Sequence, residues 1–200
     1  MPFINQNTKE INIKIVYYGA GLSGKTTNLQ YIYDKTADNA KGKLIHLSGE
    51  NERTLFFDFL PLDAGEMRGF KTRFHLYTVP GQSFYDVAAK FILKGVDGIV
   101  FVVDSERERQ DANDGCYEGL KQNLENQEYD FSRIPMVIQY NKRDRSNALP
   151  VSELSKRFQF SHGQNRSIPE FEAVANKGIG VYETFDEISK LVLMDLKGAH

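Results

Sequence analysis

The feature that most constrains the fold of this chain is the segment Gly19–Thr26, which reads G-A-G-L-S-G-K-T and fits the phosphate-binding pattern G-x-x-x-x-G-K-[ST]. Apolar and polar residues alternate over 11–18 and predict a strand, while apolar residues recur at helical spacing over 27–33. In that context, glycines allow successive backbone N–H groups to face an anion, and the helix N-terminus adds partial positive charge. The pattern therefore predicts that Lys25 reaches the β- and γ-phosphates of a nucleotide and that the Thr26 hydroxyl ligates Mg²⁺.

Strand and helix patterns alternate along the rest of the chain. They predict strands at 43–47, 55–62, 70–77, 99–103 and 135–140, and helices at about 84–94, 106–127, 151–159 and 181–196. A turn at 63–66 would make the second and third of these strands an antiparallel pair, and Pro61 indicates a sheet edge or a strand end. We therefore expect one domain over 1–200 with a doubly wound α/β fold, whose sheet is mostly parallel with one antiparallel edge pair. Such sheets bind ligands at the carboxyl ends of their strands.

Composition and charge exclude several classes of protein. The 200 residues carry a formal net charge of −2, which argues against bulk electrostatic binding of nucleic acid. No apolar run is long enough to span a membrane, and neither end carries a signal-peptide or lipidation pattern. The single cysteine, Cys116, cannot form an internal disulfide and suits a reducing compartment. We expect a cytoplasmic protein without a direct membrane anchor.

A second motif, Asn141-Lys142-Arg143-Asp144, follows the predicted strand 135–140 directly. A carboxylate at Asp144 can accept hydrogen bonds from both N1–H and the 2-amino group of guanine, and adenine does not offer this pair of donors. Asn141 could tie this loop to the phosphate loop, and the Lys142 stem could cover one face of the base. The motif therefore predicts a guanine nucleotide, although solvated turns of this composition are common.

A third motif, Thr78-Val79-Pro80-Gly81-Gln82, ends the predicted strand 70–77. At this place the Gly81 N–H can bond a γ-phosphate and Gln82 can orient an attacking water. The alternative is an ordinary Pro-Gly turn without function.

The order of these motifs resembles that of the Ras-like small GTPases. The chain is similar in particular to the bacterial mutual gliding-motility protein A (MglA) group of polarity GTPases, over nearly the whole length from about 10 to 195. The stretches that carry this likeness are 14–19, 52–62, 69–82 and 95–101. The resemblance implies the Ras-like version of the P-loop fold and hydrolysis of GTP to GDP and phosphate.

The resemblance also implies roles for single residues. Thr54 corresponds to the switch threonine that completes Mg²⁺ coordination, and Arg53 to an arginine finger in the same chain, unless it is a surface side chain that Glu52 and Asp58 hold away. Ala175 stands where Ras-like proteins use a backbone amide against the guanine carbonyl. Thr78 replaces the aspartate that most small GTPases place four residues before the glutamine, which predicts a weaker outer shell and lower affinity for Mg²⁺.

The expected site combines these assignments. The catalytic residues are expected to be Lys25, Arg53 and Gln82, and the metal ligands Thr26 and Thr54. The residues expected to line the bound GTP or GDP are Gly19, Gly21, Leu22, Ser23, Gly24, Lys25, Thr26, Thr27, Thr54, Gly81, Asn141, Lys142, Asp144, Val174 and Ala175.

Function and partners follow from the same resemblance. It implies a molecular switch for cell polarity and motility in a bacterium, with slow intrinsic turnover that a roadblock-type, MglB-like homodimer stimulates. Other expected partners are polarity or motility effectors, with recruitment to the cell poles. Two alternatives stay open. One is a GTP-gated scaffold with negligible hydrolysis, which Thr78 leaves possible. The other is an adenine-nucleotide enzyme, against which Asp144 argues.

Overall fold

The computed structural model describes residues 3–47, 57–80, 86–158, 161–162 and 166–198. The strands are β1 (Phe3–Asn5), β2 (Glu10–Tyr18), β3 (Ile45–Leu47), β4 (Phe57–Met67), β5 (Phe70–Thr78), β6 (Gly98–Asp104), β7 (Met136–Asn141), β8 (Ser161–His162), β9 (Arg166–Ser167) and β10 (Glu170–Glu172). The helices are α1 (Lys25–Lys35), α2 (Asp86–Leu93), α3 (Gln110–Glu125), α4 (Val151–Arg157) and α5 (Val181–Gly198). Short 3₁₀ turns lie at Asp38–Ala40, Arg107–Arg109 and Ala175–Lys177.

The strands form a mixed sheet in the order β10-β7-β6-β2-β5-β4-β3, with β1 added antiparallel to β2. Strands β10, β7, β6, β2 and β5 run parallel to their neighbours in this series, and β4 pairs antiparallel with β5. Strand β3 then pairs antiparallel with β4. The α/β fold with a mostly parallel sheet and an antiparallel pair at one side is therefore confirmed.

Helices cover both faces of the sheet, as the hydrophobic pattern of the central strands requires. All seven residues of β6 are buried, so this strand contributes side chains to both faces. Apolar residues of α2, α3 and α4 pack on one face, and those of α1 and α5 pack on the other. Among the described helices, none is both long and apolar enough to cross a membrane.

The predicted turn at 63–66 is wrong. Strand β4 continues to Met67, with an irregular register between Asp63 and Glu66, and the chain reverses at Arg68 and Gly69. Both turn residues have positive φ, 52° and 79°, as hairpin turns that match the twist of paired strands require. Gly65, also at positive φ (79°), accommodates a bulge within the strand rather than its end.

A buried polar network links α1 and α5 to the centre of the sheet. Gln139 of β7 exchanges two hydrogen bonds of 2.9 Å with the side chain of Asn28 and donates a third, of 3.0 Å, to the Thr184 hydroxyl. Asn28 also donates to the Gly24 carbonyl (2.9 Å), so the network reaches the end of the glycine loop. These side chains are fully buried, and each depends on the others for its hydrogen bonds.

Gln139→Leu is therefore expected to destabilise the protein by about 2–4 kcal/mol, because it keeps the volume but leaves Asn28 and Thr184 without their buried partner. Urea denaturation measured on the nucleotide-free protein tests this value. Gln122→Leu on the exposed side of α3 is the matched control and should change stability by less than about 0.5 kcal/mol. Equal stability of the two variants would show that the network contributes little.

Candidate nucleotide-binding site

The predicted motifs converge because the carboxyl ends of parallel strands meet at one edge of the sheet. The Asn141 side chain, at the end of β7, joins two of the loops there. Its Nδ2 donates to the Ser23 carbonyl at 2.8 Å, and its Oδ1 accepts from the Ala175 N–H at 2.9 Å. The glycine loop after β2, the loop after β7 and the loop after β10 are thus held as one unit. The expected tie between Asn141 and the phosphate loop is present.

The glycine loop has a backbone conformation that only glycine adopts without strain at two positions. Gly19 has φ +148°, and a Cβ added there would lie 2.2 Å from the Val102 carbonyl oxygen. Gly24 has φ +101°, and a Cβ there would lie 2.1 Å from Nδ2 of Asn141. The glycines therefore permit close packing of the loop on its neighbours, and the concave backbone that results is suited to a phosphate group. Leu22, between them, is 85% exposed and has φ 66°.

Lys25 begins α1 and lies inside this loop. Its side chain is buried, and the ammonium donates to the carbonyls of Gly19 (2.8 Å) and Ala20 (2.7 Å). Burial lowers the pKa of Lys25 to about 8. Burial of the ammonium and its position at the positive end of a helix each cost free energy. An anion bound in the loop would offset both costs. The residues present therefore fit a nucleotide phosphate.

Thr26 lies beside a buried carboxylate. Its Oγ1 donates to Oδ2 of Asp58 at 2.6 Å, and Oγ1 of Thr78 donates to the same oxygen at 2.8 Å. Asp58 belongs to β4, and its other oxygen lies 2.8 Å from Nδ1 of His46 on β3. Oxygen donors of this kind suit Mg²⁺, whose sites in phosphate-binding proteins use few protein ligands. Within the described residues, no group of three or more His, Cys, Asp or Glu side chains could hold a metal without other ligands.

This arrangement bears on the inference made from Thr78. The sequence predicts a weak outer metal shell because position 78 carries no carboxylate, and in the structure the Thr78 hydroxyl donates to the carboxylate of Asp58 on the neighbouring strand. In the sequence, Asp58 stands out only as a residue able to hold Arg53 away from the nucleotide. Its observed hydrogen-bond partners are the two threonines and His46. The affinity for Mg²⁺ itself stays a prediction.

On the base side of the site, Asp144 is exposed and pairs with Lys177, whose Nζ lies 3.2 Å from its Oδ2. The Lys177 ammonium lowers the pKa of the Asp144 carboxyl, which favours the ionised form that accepts two hydrogen bonds. Lys142 has φ 64° and donates to Asp104 (2.6 Å) and Glu106 (2.9 Å). These ion pairs fix the end of the Lys142 side chain beside the carboxyl end of β6.

The loop after β10 lies next to the phosphate loop. Thr27 lines a surface cleft together with Tyr31 and Ala175. The N–H of Val174 donates to the Ile179 carbonyl at 3.0 Å, and that of Ala175 donates to Asn141. The resemblance assigns the Ala175 amide to the guanine carbonyl, whereas here its partner is a side chain. A bound base would have to share this donor.

The sequence motifs do not predict two contacts that Arg109 makes at the site. Arg109, before α3, donates to the carbonyl of Gly21 at 2.5 Å and lies 3.5 Å from the buried carboxylate of Asp104. The only signal in the sequence was the position of Asp104 at the end of a buried strand. Arg53, Thr54, Gly81 and Gln82 lie outside the described residues, so their expected roles stay predictions.

A glycine loop that holds a buried lysine, a hydroxyl beside a carboxylate and an N-K-x-D loop tied to the glycine loop together define a P-loop nucleotide-binding protein of the small GTPase class. Residues 2–192 match the ADP-ribosylation factor family, and the chain belongs to this family of small GTPases. It is 62% identical over 197 residues to the mutual gliding-motility protein MglA of Myxococcus xanthus (strain DK1622), and the match covers 98% of each chain. The resemblance to the MglA group is therefore confirmed. Small GTPases bind GTP and GDP, in general with Mg²⁺, and hydrolyse GTP.

Proposed function

We propose that this chain is a GTP-hydrolysing molecular switch that controls cell polarity and gliding motility in a bacterium. The observation that carries the proposal is the hydrogen bond from Asn141 to the Ser23 carbonyl, which ties the N-K-x-D loop to the glycine loop. A protein that binds the base and the phosphates of one nucleotide needs these two loops at a fixed distance and orientation from each other. The similarity to MglA over 98% of both chains supports the proposed role in cell polarity and gliding motility.

Binding of the nucleotide would use both sides of the site. Asp144 would accept hydrogen bonds from guanine, and the Lys25 ammonium would exchange its carbonyl partners for the β- and γ-phosphates. The backbone N–H groups of the glycine loop and the N-terminus of α1 would hold the remaining phosphate oxygens. Thr26 and Thr54 would hold Mg²⁺, which when bound offsets charge on the β- and γ-phosphates.

Hydrolysis would use residues of two segments, around 48–62 and around 78–86. Gln82 would orient the attacking water, and Arg53 would stabilise the charge that develops as the γ-phosphoryl group leaves. Both assignments rest on the positions of these residues in the sequence and on the resemblance to MglA-type GTPases. We expect intrinsic turnover of about 10⁻⁴ to 10⁻² s⁻¹, which is the range of GTPases without an activating partner.

The partner that accelerates this reaction is proposed to be a roadblock-type, MglB-like homodimer, with polarity or motility proteins as effectors and the cell poles as the place of recruitment. The surface that would receive a partner lies on the antiparallel pair β4–β5. Three half-buried rings pack together there: Phe59 is stacked on His75 at 5.8 Å and tilted against Tyr77 at 4.8 Å, measured between ring centroids. Aromatic side chains of this kind are enriched at protein interfaces.

Single-turnover hydrolysis of GTP, with and without an added roadblock-type homodimer, tests the proposal. We expect Gln82→Leu to bind GTP normally and to lose about 100-fold of the stimulated rate, because the attacking water is no longer oriented. Gln122→Leu on α3 is the control and should hydrolyse GTP like the wild type. Normal stimulated release of phosphate by Gln82→Leu would contradict the role of Gln82. If the wild type releases no phosphate in either condition, the chain is a GTP-gated scaffold instead.

A further inference from the structure

Asp58 is placed to act on the hydroxyl of Thr26 from a strand that no nucleotide-binding motif includes. The hydroxyl proton of Thr26 points to Oδ2 of Asp58, at an oxygen–oxygen distance of 2.6 Å. This distance is in the range of charge-assisted hydrogen bonds between a hydroxyl and a carboxylate. A hydroxyl has one proton and two lone pairs, so donation to Asp58 leaves the lone pairs as the only groups that Thr26 can present to a ligand.

The orientation of the carboxylate is itself fixed. Thr78 donates to the same oxygen at 2.8 Å, and the backbone N–H of Asp58 donates to the Thr78 hydroxyl at 2.8 Å, so the two residues form a closed pair across the strands. Nδ1 of His46 lies 2.8 Å from the second oxygen. Since Asp58 is only 8% exposed, these contacts leave its carboxylate a single position.

Strand register explains why Asp58 reaches this place. Phe59 pairs with Tyr77 in the antiparallel ladder, which places Asp58 opposite Thr78 at the carboxyl end of β5. Position 78 is the one where most small GTPases carry their aspartate, and here it carries a hydroxyl that donates to Asp58. The neighbouring strand β4 therefore supplies a carboxylate directly across the ladder.

We propose that Asp58 is the positioning residue of the metal site, and that it orients the Thr26 hydroxyl and the outer shell of Mg²⁺ in place of a carboxylate at position 78. This inference rests on the proposed function, because it assumes that Mg²⁺ binds with a guanine nucleotide at Thr26. Carboxylates that orient a metal ligand in this manner raise the basicity of the ligand and contribute to metal affinity. Thr78 and His46 hold the carboxylate in turn.

The test measures release of a fluorescent GDP analogue at saturating Mg²⁺ and in excess EDTA, which reports metal binding without any hydrolysis. We expect Mg²⁺ to slow release from the wild type, and Asp58→Asn to lose about 10- to 100-fold of that effect while release in EDTA stays unchanged. Asp63→Asn, on the same strand but paired with Lys71 at the surface, is the matched control and should behave like the wild type.

A second variant moves the carboxylate rather than removing it. Asp58→Thr combined with Thr78→Asp exchanges acid and hydroxyl across the ladder, and we expect it to recover most of the effect of Mg²⁺ on release. If circular dichroism shows that Asp58→Asn does not fold, this exchange variant tests the role of Asp58 instead. A folded exchange variant in which Mg²⁺ has no effect on release would overturn the proposal.

The outcomes separate this inference from the proposed function. A wild type that does not bind the GDP analogue at all contradicts the proposed function. A wild type that binds it and responds to Mg²⁺, together with an Asp58→Asn variant that responds equally, leaves the function standing and refutes the role of Asp58.

Discussion

Asp144→Asn is expected to change the preferred base of the bound nucleotide from guanine to xanthine. The carboxylate would accept hydrogen bonds from N1–H and the 2-amino group of guanine, whereas an amide presents one acceptor and one donor. The donor would face the 2-amino group of guanine, but it would pair with the carbonyl that xanthine has at the same carbon. We expect the affinity for GDP to fall roughly 1,000-fold and that for xanthosine diphosphate to exceed it. Equilibrium titration with both nucleotides measures the change.

The control for this variant is Asp114→Asn. Asp114 is also a surface aspartate in an ion pair, in this case with Arg157, and it lies on α3 away from the N-K-x-D loop. It should bind GDP like the wild type. Equal affinity of Asp144→Asn and wild type for GDP would mean that Asp144 does not contact the base and that its pairing with Lys177 is its whole role.

Lys25→Met is expected to lower the affinity for GTP by roughly 1,000-fold, because the charge-assisted bonds to the β- and γ-phosphates are lost. The stability of the nucleotide-free protein should change little, since replacing a buried charge by an apolar side chain of similar length is often neutral or stabilising. A loss of affinity without a loss of stability is the result we expect if the buried ammonium serves to bind a ligand. Calorimetric titration and thermal unfolding of the same preparations give both quantities.

Lys43→Met is the matched control, because Lys43 is exposed and lies outside the nucleotide site. It should leave the affinity for GTP unchanged. If Lys25→Met unfolded the nucleotide-free protein while Lys43→Met did not, Lys25 would serve mainly to hold the carbonyls of Gly19 and Ala20, and its proposed role toward phosphate would be contradicted.

The parts of the site that could be predicted from the sequence are those that follow strand ends. The buried strand predicted at 99–103 is β6, Gly98–Asp104, and the one at 135–140 is β7, Met136–Asn141. Because the carboxyl ends of parallel strands share one edge of the sheet, the convergence of the glycine loop and the N-K-x-D loop follows from the order of elements alone. The tie through Asn141 was expected for the same reason.

The parts that could not be predicted depend on contacts between residues distant in the sequence. The role of Asp58 requires the register between β4 and β5, and a shift by one residue would turn its side chain to the other face. The sequence gives no local sign of that register, since Gly65 suggests a turn where the strand only bulges. The sequence pattern does not predict strand β10, Glu170–Glu172, because a strand of three mostly polar residues is too short to show a periodic pattern.

The pairing of Ala175 with Asn141 is a further example. The structure places this residue beside the N-K-x-D loop, and the order of the motifs does not tell which acceptor its N–H will find. Hydrogen-bond partners of a loop depend on distances of a few tenths of an ångström, which only the folded arrangement determines.

The preference of the site for guanine can be measured by displacing a fluorescent GDP analogue with unlabelled GTP, GDP and ATP in the presence of Mg²⁺. We expect GTP and GDP to displace the analogue at similar low concentrations. ATP should require a concentration at least about 1,000-fold higher, because adenine lacks the pair of donors that Asp144 would accept. Displacement by ATP at the same concentration as GTP would contradict this preference.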